Sequence, residues 1–81
     1  MATNEILVTM PDLGDVSEAC VVQWLCSEGE RVSEGDDLLE VETEKTTFVI
    51  PAPEDGTLRK IAAPEGTHVQ EGALLAELER A

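Results

Sequence analysis

Few side chains in this 81-residue chain could do chemistry of their own. The candidates are the lysines Lys45 and Lys60, the cysteines Cys20 and Cys26, and the single histidine, His68. The cysteines are too few for a disulfide scaffold and lack the C-x-x-C spacing of a metal knuckle. Free cysteine is typically a small buried hydrophobe, and both cysteines, like His68, read as structural or surface residues. A catalytic or ligating role for any of the three would need partners that the sequence does not supply. No nucleophile–base pair, metal cluster or phosphate-cradling glycine loop is present, which argues against an autonomous enzyme. That leaves the amines. Lys60 falls in mid-strand and reads as an ordinary solvent-facing residue. Lys45 sits in a tight polar segment, Thr43-Glu44-Lys45-Thr46, between runs rich in β-branched residues. On position alone it is a solvated turn lysine, since exposed turn lysines are common.

What positions Lys45 is a pattern of short apolar runs with no sustained helical period over ~11 residues. Turn signals separate them: Glu28-Gly29, Glu34-Gly35, Asp55-Gly56, Glu65-Gly66 and Glu71-Gly72. The chain is therefore expected to be all-β, a sandwich or small barrel of many short strands. It is also a duplication. A shift of 37 positions lays Glu28-Gly29-x-x-Val32-x-Glu34-Gly35 on Glu65-Gly66-x-x-Val69-x-Glu71-Gly72. Leu38 then meets Leu75, Glu40 meets Glu77, Val41 meets Leu78, Val21 meets Leu58 and Trp24 meets Ile61. Met10-Pro11 resembles Ile50-Pro51 if the first copy carries three extra residues within Asp12–Glu18. Two units, about 6–42 and 48–79, would share one core about an approximate two-fold axis, with the hairpin 43–46 between them. The mate of that hairpin is where the chain ends meet, so hairpin and termini should lie at opposite ends of the molecule.

Alternation predicts Leu39, Val41, Phe48, Ile50, Ala76 and Leu78 pointing inward, with Thr47 and Val49 outward. The spacing of three from Val21 to Trp24 and from Leu58 to Ile61 predicts a bulge or strong bend in each copy. Gly29 and Gly66 should occupy equivalent turns at positive φ.

Eighteen acidic residues against five basic ones give a formal net charge of −13. Charge of that sign disfavours nucleic acid and anionic membranes as partners and favours a basic protein surface. The 42% of apolar residues, in regular runs, argues against disorder. One domain is expected, too short for a large catalytic cleft. No apolar run approaches the ~18 residues of a membrane span, and no targeting pattern precedes the first strand.

With these motifs in view, the segment from Glu40 to Gly56 resembles the attachment hairpin of lipoyl domains in 2-oxo acid dehydrogenase complexes. It has an acidic strand, an acidic residue before the lysine, a β-rich strand after it, and then Pro51-Ala52-x-x-x-Gly56. Further matches are Met10-Pro-Asp-Leu-Gly14, Val22-Gln-Trp24-Leu, Glu28-Gly29-Glu-Arg-Val32-x-x-Gly35 and Pro64-Glu-Gly66-Thr-x-Val69-x-x-Gly72. The resemblance runs from about Ile6 to Leu78. The triplet Glu44-Lys45-Thr46 departs from the family's commoner Asp-Lys-Ala but keeps the acidic neighbour.

The resemblance implies a flattened barrel (barrel–sandwich hybrid) of two four-stranded antiparallel sheets, with lipoic acid in amide linkage to Lys45. It implies a non-catalytic carrier of acyl groups and reducing equivalents, whose parent chain is an acyltransferase. The implied partners are a thiamin diphosphate-dependent decarboxylase, the acyltransferase catalytic core, dihydrolipoyl dehydrogenase and the lipoylating enzymes. The isolated domain is expected to be a monomer, in a bacterial cytoplasm or, for a eukaryotic parent, the mitochondrial matrix. Glu42, Glu44 and Thr46 would flank the arm as a recognition surface. Asp12, Leu13, Gly14 and Asp15, in the loop that breaks the repeat's symmetry, would form a second recognition patch. Two other readings remain. A biotinyl domain shares the architecture but usually sets its lysine between two methionines, whereas Met1 and Met10 are far from Lys45 in sequence. An unmodified barrel would serve as a structural or interaction module.

Overall fold

Alternating apolar positions and glycine-bearing turns cut the chain into short strands. A computed structural model describes residues 4–12 and 18–81. Among these residues the strands are β1 (Glu5–Thr9), β2 (Glu18–Trp24), β3 (Arg31–Val32), β4 (Asp37–Glu42), β5 (Thr47–Pro51), β6 (Gly56–Ile61), β7 (His68–Gln70) and β8 (Leu74–Arg80). They form two four-stranded antiparallel sheets, ordered β1-β8-β6-β3 and β5-β4-β2-β7. Exchanging β1 with β5, β8 with β4, β6 with β2 and β3 with β7 turns one order into the other. This is the expected pseudo-two-fold.

The hydrogen bonds obey the same exchange. Gly29 donates to the Leu58 carbonyl at 2.6 Å, and Gly66, 37 positions on, donates to the Val21 carbonyl at 2.8 Å. Leu25 donates to Leu38 at 2.8 Å and Ala62 to Leu75 at 2.9 Å. The first strands, however, match at a different offset. Met10 donates to Ala73 and accepts from Gly72, whereas Ala52 donates to Asp36 and accepts from Gly35. Val8 faces Ala76 as Ile50 faces Leu39. Met10 is therefore the mate of Ala52, not of Ile50. The offset is 42 positions, and the first copy carries five extra residues rather than three. Ile50-Pro51-Ala52-Pro53 holds two apolar–proline pairs. Hydrophobicity selects the first, whereas ladder hydrogen bonding selects the second.

The core lies between the sheets. Leu38, Leu39, Val41, Leu58, Leu75, Ala76 and Leu78 are completely inaccessible, and Val21 nearly so. The inward positions expected for Leu39, Val41, Ile50, Ala76 and Leu78 are all buried. Phe48 packs against the core but is only half-buried, because β5 is the edge of its sheet. Leu38 and Leu75 go beyond simple alternation, since each is buried next to another buried residue. The register of the neighbouring edge strand slips beside each of them, between Asp37 and Leu39 and between Val8 and Thr9. Ladder irregularities there allow consecutive side chains to enter the core.

The spacing of three also has its cause. The ladder passes from Val21 to Gln23 and from Leu58 to Lys60 with a register shift, leaving Val22 and Arg59 as the extra residues of two equivalent bulges. Each bulge lets its strand bend between core residues and the half-buried Trp24 or Ile61. Trp24 satisfies its indole N–H on the Ala63 carbonyl at 2.8 Å.

Gly29 and Gly66 adopt φ of 91° and 89°, as Gly35 and Gly72 do in the paired turns. Gly56 differs from the turn glycine suggested by Asp55-Gly56. It opens β6 without a positive φ, and a Cβ there would come within 2.5 Å of the Glu79 carbonyl oxygen. Close approach of two backbones, rather than turn geometry, requires glycine at this position.

Candidate functional site

Strands β4 and β5 pair from Asp37–Pro51 to Glu42–Thr47, and residues 43–46 close the hairpin. Thr43 donates its N–H to the Thr46 carbonyl at 2.7 Å. Its side chain organises the rest of the turn. Thr43 Oγ1 accepts the N–H of Lys45 at 3.2 Å and of Thr46 at 3.1 Å, and donates to the Thr46 carbonyl at 3.1 Å. One hydroxyl thus uses its single proton and both lone pairs on the backbone of the turn. Thr43 is the one buried polar residue among the described residues. With the Lys45 N–H satisfied from inside, the residue stands exposed at the tip. Among the described residues its amine has no ion-pair partner. A free primary amine on a backbone-locked turn is suited to acylation, with the turn holding it away from the sheets.

Thr43 was not singled out from the sequence. The signal was available, because a threonine two residues before a turn residue is a local side-chain-to-backbone acceptor.

The other candidate residues divide in two. Glu42, Glu44 and Thr46 are exposed and surround Lys45 in the hairpin. Asp12 is exposed, whereas Leu13, Gly14 and Asp15 lie outside the described residues. Strand β2, which follows them in sequence, begins at the hairpin end. Cys20 pairs with Glu42, so Glu18, at the start of β2, comes in level with the turn. Cys20 also pairs with His68, and His68 Nδ1 lies 3.7 Å from Glu18 Oε1, both side chains being more than half exposed. Cys20 is half-buried and Cys26 buried. Burial pushes the Cys26 thiol above its ordinary pKa, reinforced by Glu30 and Asp36. Lys60 is exposed on β6.

The other closure of the duplication involves the chain ends. Arg80 donates to the Asn4 carbonyl at 2.6 Å, the counterpart of Thr43 donating to Thr46. The Arg80 guanidinium there grips Glu54 through Nε and Nη2 at 3.1 and 3.4 Å.

A family model described as "Biotin-requiring enzyme", the biotin/lipoyl attachment family, matches residues 6–78. The chain belongs to this family. It is thus a carrier domain of the biotinyl/lipoyl type, a non-catalytic unit. It is 42% identical to the pyruvate dehydrogenase protein X component of Mus musculus, over 94% of this chain and 16% of that protein. It is 41% identical to the dihydrolipoyllysine-residue acetyltransferase component of the pyruvate dehydrogenase complex of Rhizobium meliloti, over 90% of this chain and 17% of that one. The domain therefore spans about a sixth of the length of these relatives. Among solved structures it superimposes on the lipoyl domain of the 2-oxoglutarate dehydrogenase complex of Azotobacter vinelandii. There the TM-score is 0.76 at 27% identity, covering 94% of this chain and 98% of that one.

Proposed function

We propose that Lys45 carries lipoate in amide linkage, and that the domain shuttles acyl groups and electrons between active sites of a 2-oxo acid dehydrogenase complex. The observation that carries this reading is the Thr43-locked turn with Lys45 exposed at its tip, its amine without an ion-pair partner among the described residues. Lipoate is favoured over biotin by the flanking residues, Glu44 and Thr46, neither of them methionine. It is also favoured by the names of the relatives, a dihydrolipoyllysine-residue acetyltransferase component and a lipoyl domain. The likeness to an acetyltransferase component supports an acyltransferase subunit as the parent chain, in a bacterial cytoplasm or, for a eukaryotic parent, the mitochondrial matrix.

Bound lipoate would supply a dithiolane that accepts an acyl group and two electrons together, which no side chain of this domain can do. The domain's own residues do other work. Lys45 fixes the arm's origin, Thr43 keeps that origin rigid, and the tether raises the local concentration of the arm at successive active sites. The sites served would be those of a thiamin diphosphate-dependent decarboxylase, the acyltransferase core and dihydrolipoyl dehydrogenase. Glu42, Glu44 and Thr46, with Asp12, Leu13, Gly14 and Asp15 of the β1–β2 loop, form the surface by which these partners and the lipoylating enzymes know the domain. Glu18 and Glu42 lying at one end of the same sheet support a shared role for loop and hairpin.

The test is enzymatic loading. The domain is incubated with lipoate and a lipoate ligase, and separately with biotin and a biotin ligase, and the adduct is mapped by peptide mass. A lipoyl adduct on Lys45, lost in Lys45→Arg and kept in Lys60→Arg, is the expected result. An adduct on Lys60, or biotin as the only acceptable acid, overturns the proposal.

A further inference from the structure

Strands β1 and β5 are the edges of their sheets, and a shallow groove of about 340 Å³ lies between them. Leu7, Val8 and Pro11 line one side, and Phe48, Val49 and Ile50 the other, and among the described residues no ionisable side chain lines it. We propose that this groove is the resting site of the domain's own lipoyl arm, an inference that rests on the acylation of Lys45 proposed above.

Three observations support this occupant. The first is reach. Phe48 follows Lys45 by three residues, which even fully extended span only about 10 Å. A lysine side chain prolonged through an amide by lipoate's alkyl chain and dithiolane is longer than that. The second is charge. In a chain of net charge −13, a groove whose described lining is apolar or uncharged suits a neutral ligand. Amide formation at Lys45 removes the amine's positive charge and makes the arm such a ligand. The third is unsatisfied apolar surface. Leu7 is 55% and Val49 37% exposed, on neighbouring edges that nothing else in the chain covers among the described residues. An arm tethered so close meets the groove at high effective concentration, so weak apolar contact is enough to populate a docked state. Partners then compete with the groove for the dithiolane, which is shielded from stray thiols between visits.

The test is nuclear magnetic resonance on the isotopically labelled domain, after peptide mass has confirmed lipoate on Lys45. Nuclear Overhauser contacts are expected between arm protons and the methyl groups of Leu7 and Val49. The double variant Leu7→Ser/Val49→Ser, changed only at exposed positions, should lose them. Its dithiolane should also be reduced severalfold faster by dithiothreitol. If the double variant unfolds, the contacts in the wild-type domain decide alone. With lipoate mapped to Lys45, contacts confined to residues 43–47 overturn the docked arm and leave the carrier reading intact. So do shifts of Leu7 and Val49 that grow with protein concentration, which would place a second copy in the groove. Absence of the adduct from Lys45 overturns both.

Discussion

Glu28 Oε2 accepts the backbone N–H of Ile61 at 2.8 Å, so the carboxylate of a turn in the first repeat holds the bulged strand of the second. The exchange is reciprocal, because Glu65 Oε2 accepts the N–H of Trp24 at 3.4 Å. The Glu-Gly pair that repeats in the sequence therefore has two jobs. The glycine makes the turn at positive φ, and the glutamate reaches across the two-fold to a backbone N–H beside a bulge. Replacing Glu28 by Ala should cost about 1 kcal/mol, the usual net worth of such a bond. Glu65→Ala should cost less, given its longer and weaker bond. Urea denaturation of both variants checks the order, and equal, negligible losses would show that water replaces both carboxylates.

Thr43 should matter more to the hairpin than any residue beside Lys45. Thr43→Val keeps the shape but removes the acceptor of two turn N–H groups and the donor to Thr46. A loss of about 1–3 kcal/mol is expected, since a partly buried backbone group is left unpaired. Thr43→Ser should retain most of the stability. Because the turn sets the position of the amine, the valine variant should also be lipoylated more slowly while the serine variant is not. Thermal unfolding and a timed ligase assay test the two effects separately.

The glycines distinguish conformational cost from collision. Nothing lies within 4 Å of a Cβ built on Gly29 or Gly66, so Ala there meets only the backbone penalty of positive φ. That is about 1 kcal/mol at each position. Gly56→Ala meets the Glu79 carbonyl as well and should be the most damaging of the three. Comparing the three midpoints of denaturation is the measurement. A Gly56→Ala domain as stable as Gly29→Ala would mean that β6 and β8 separate there without penalty.

Recognition by the decarboxylase should depend on charge around the arm. Glu42 and Glu44 are exposed, so Glu42→Gln/Glu44→Gln should leave the fold intact. It should slow reductive acylation, and slow it most at low salt, because exposed charges are screened over about 8–10 Å at ordinary ionic strength. Acylation rates of loaded wild-type and variant domains at two salt concentrations provide the check. Equal rates at both would leave Lys45 as a bare tether.

The sequence by itself determined the architecture, and there is a physical reason. Each repeat is short, and its burial pattern is written in local alternation at Leu39, Val41, Ala76 and Leu78. Its turns need residues that only glycine supplies cheaply, so strand boundaries were legible at Gly29, Gly35, Gly66 and Gly72. The bulges could be read too, from the spacing of three shared by Val21–Trp24 and Leu58–Ile61. The exposed hairpin lysine was legible for the same reason, because a tight turn between two strands is a local object.

Only the tertiary structure decided the relations between distant segments. That Met10 matches Ala52 depends on which carbonyls their N–H groups meet across the sheet, at Ala73 and Asp36. Side-chain hydrophobicity carries no record of that choice. That Gly56 is glycine because of Glu79, and that Glu28 serves Ile61, are contacts between residues 23 and 33 positions apart. The groove between Leu7 and Val49 likewise exists only because the two sheets bring the edges of both repeats together. A pattern read along one strand reports which face is buried, whereas the partner across the sheet is set by register and by the symmetry of the whole fold.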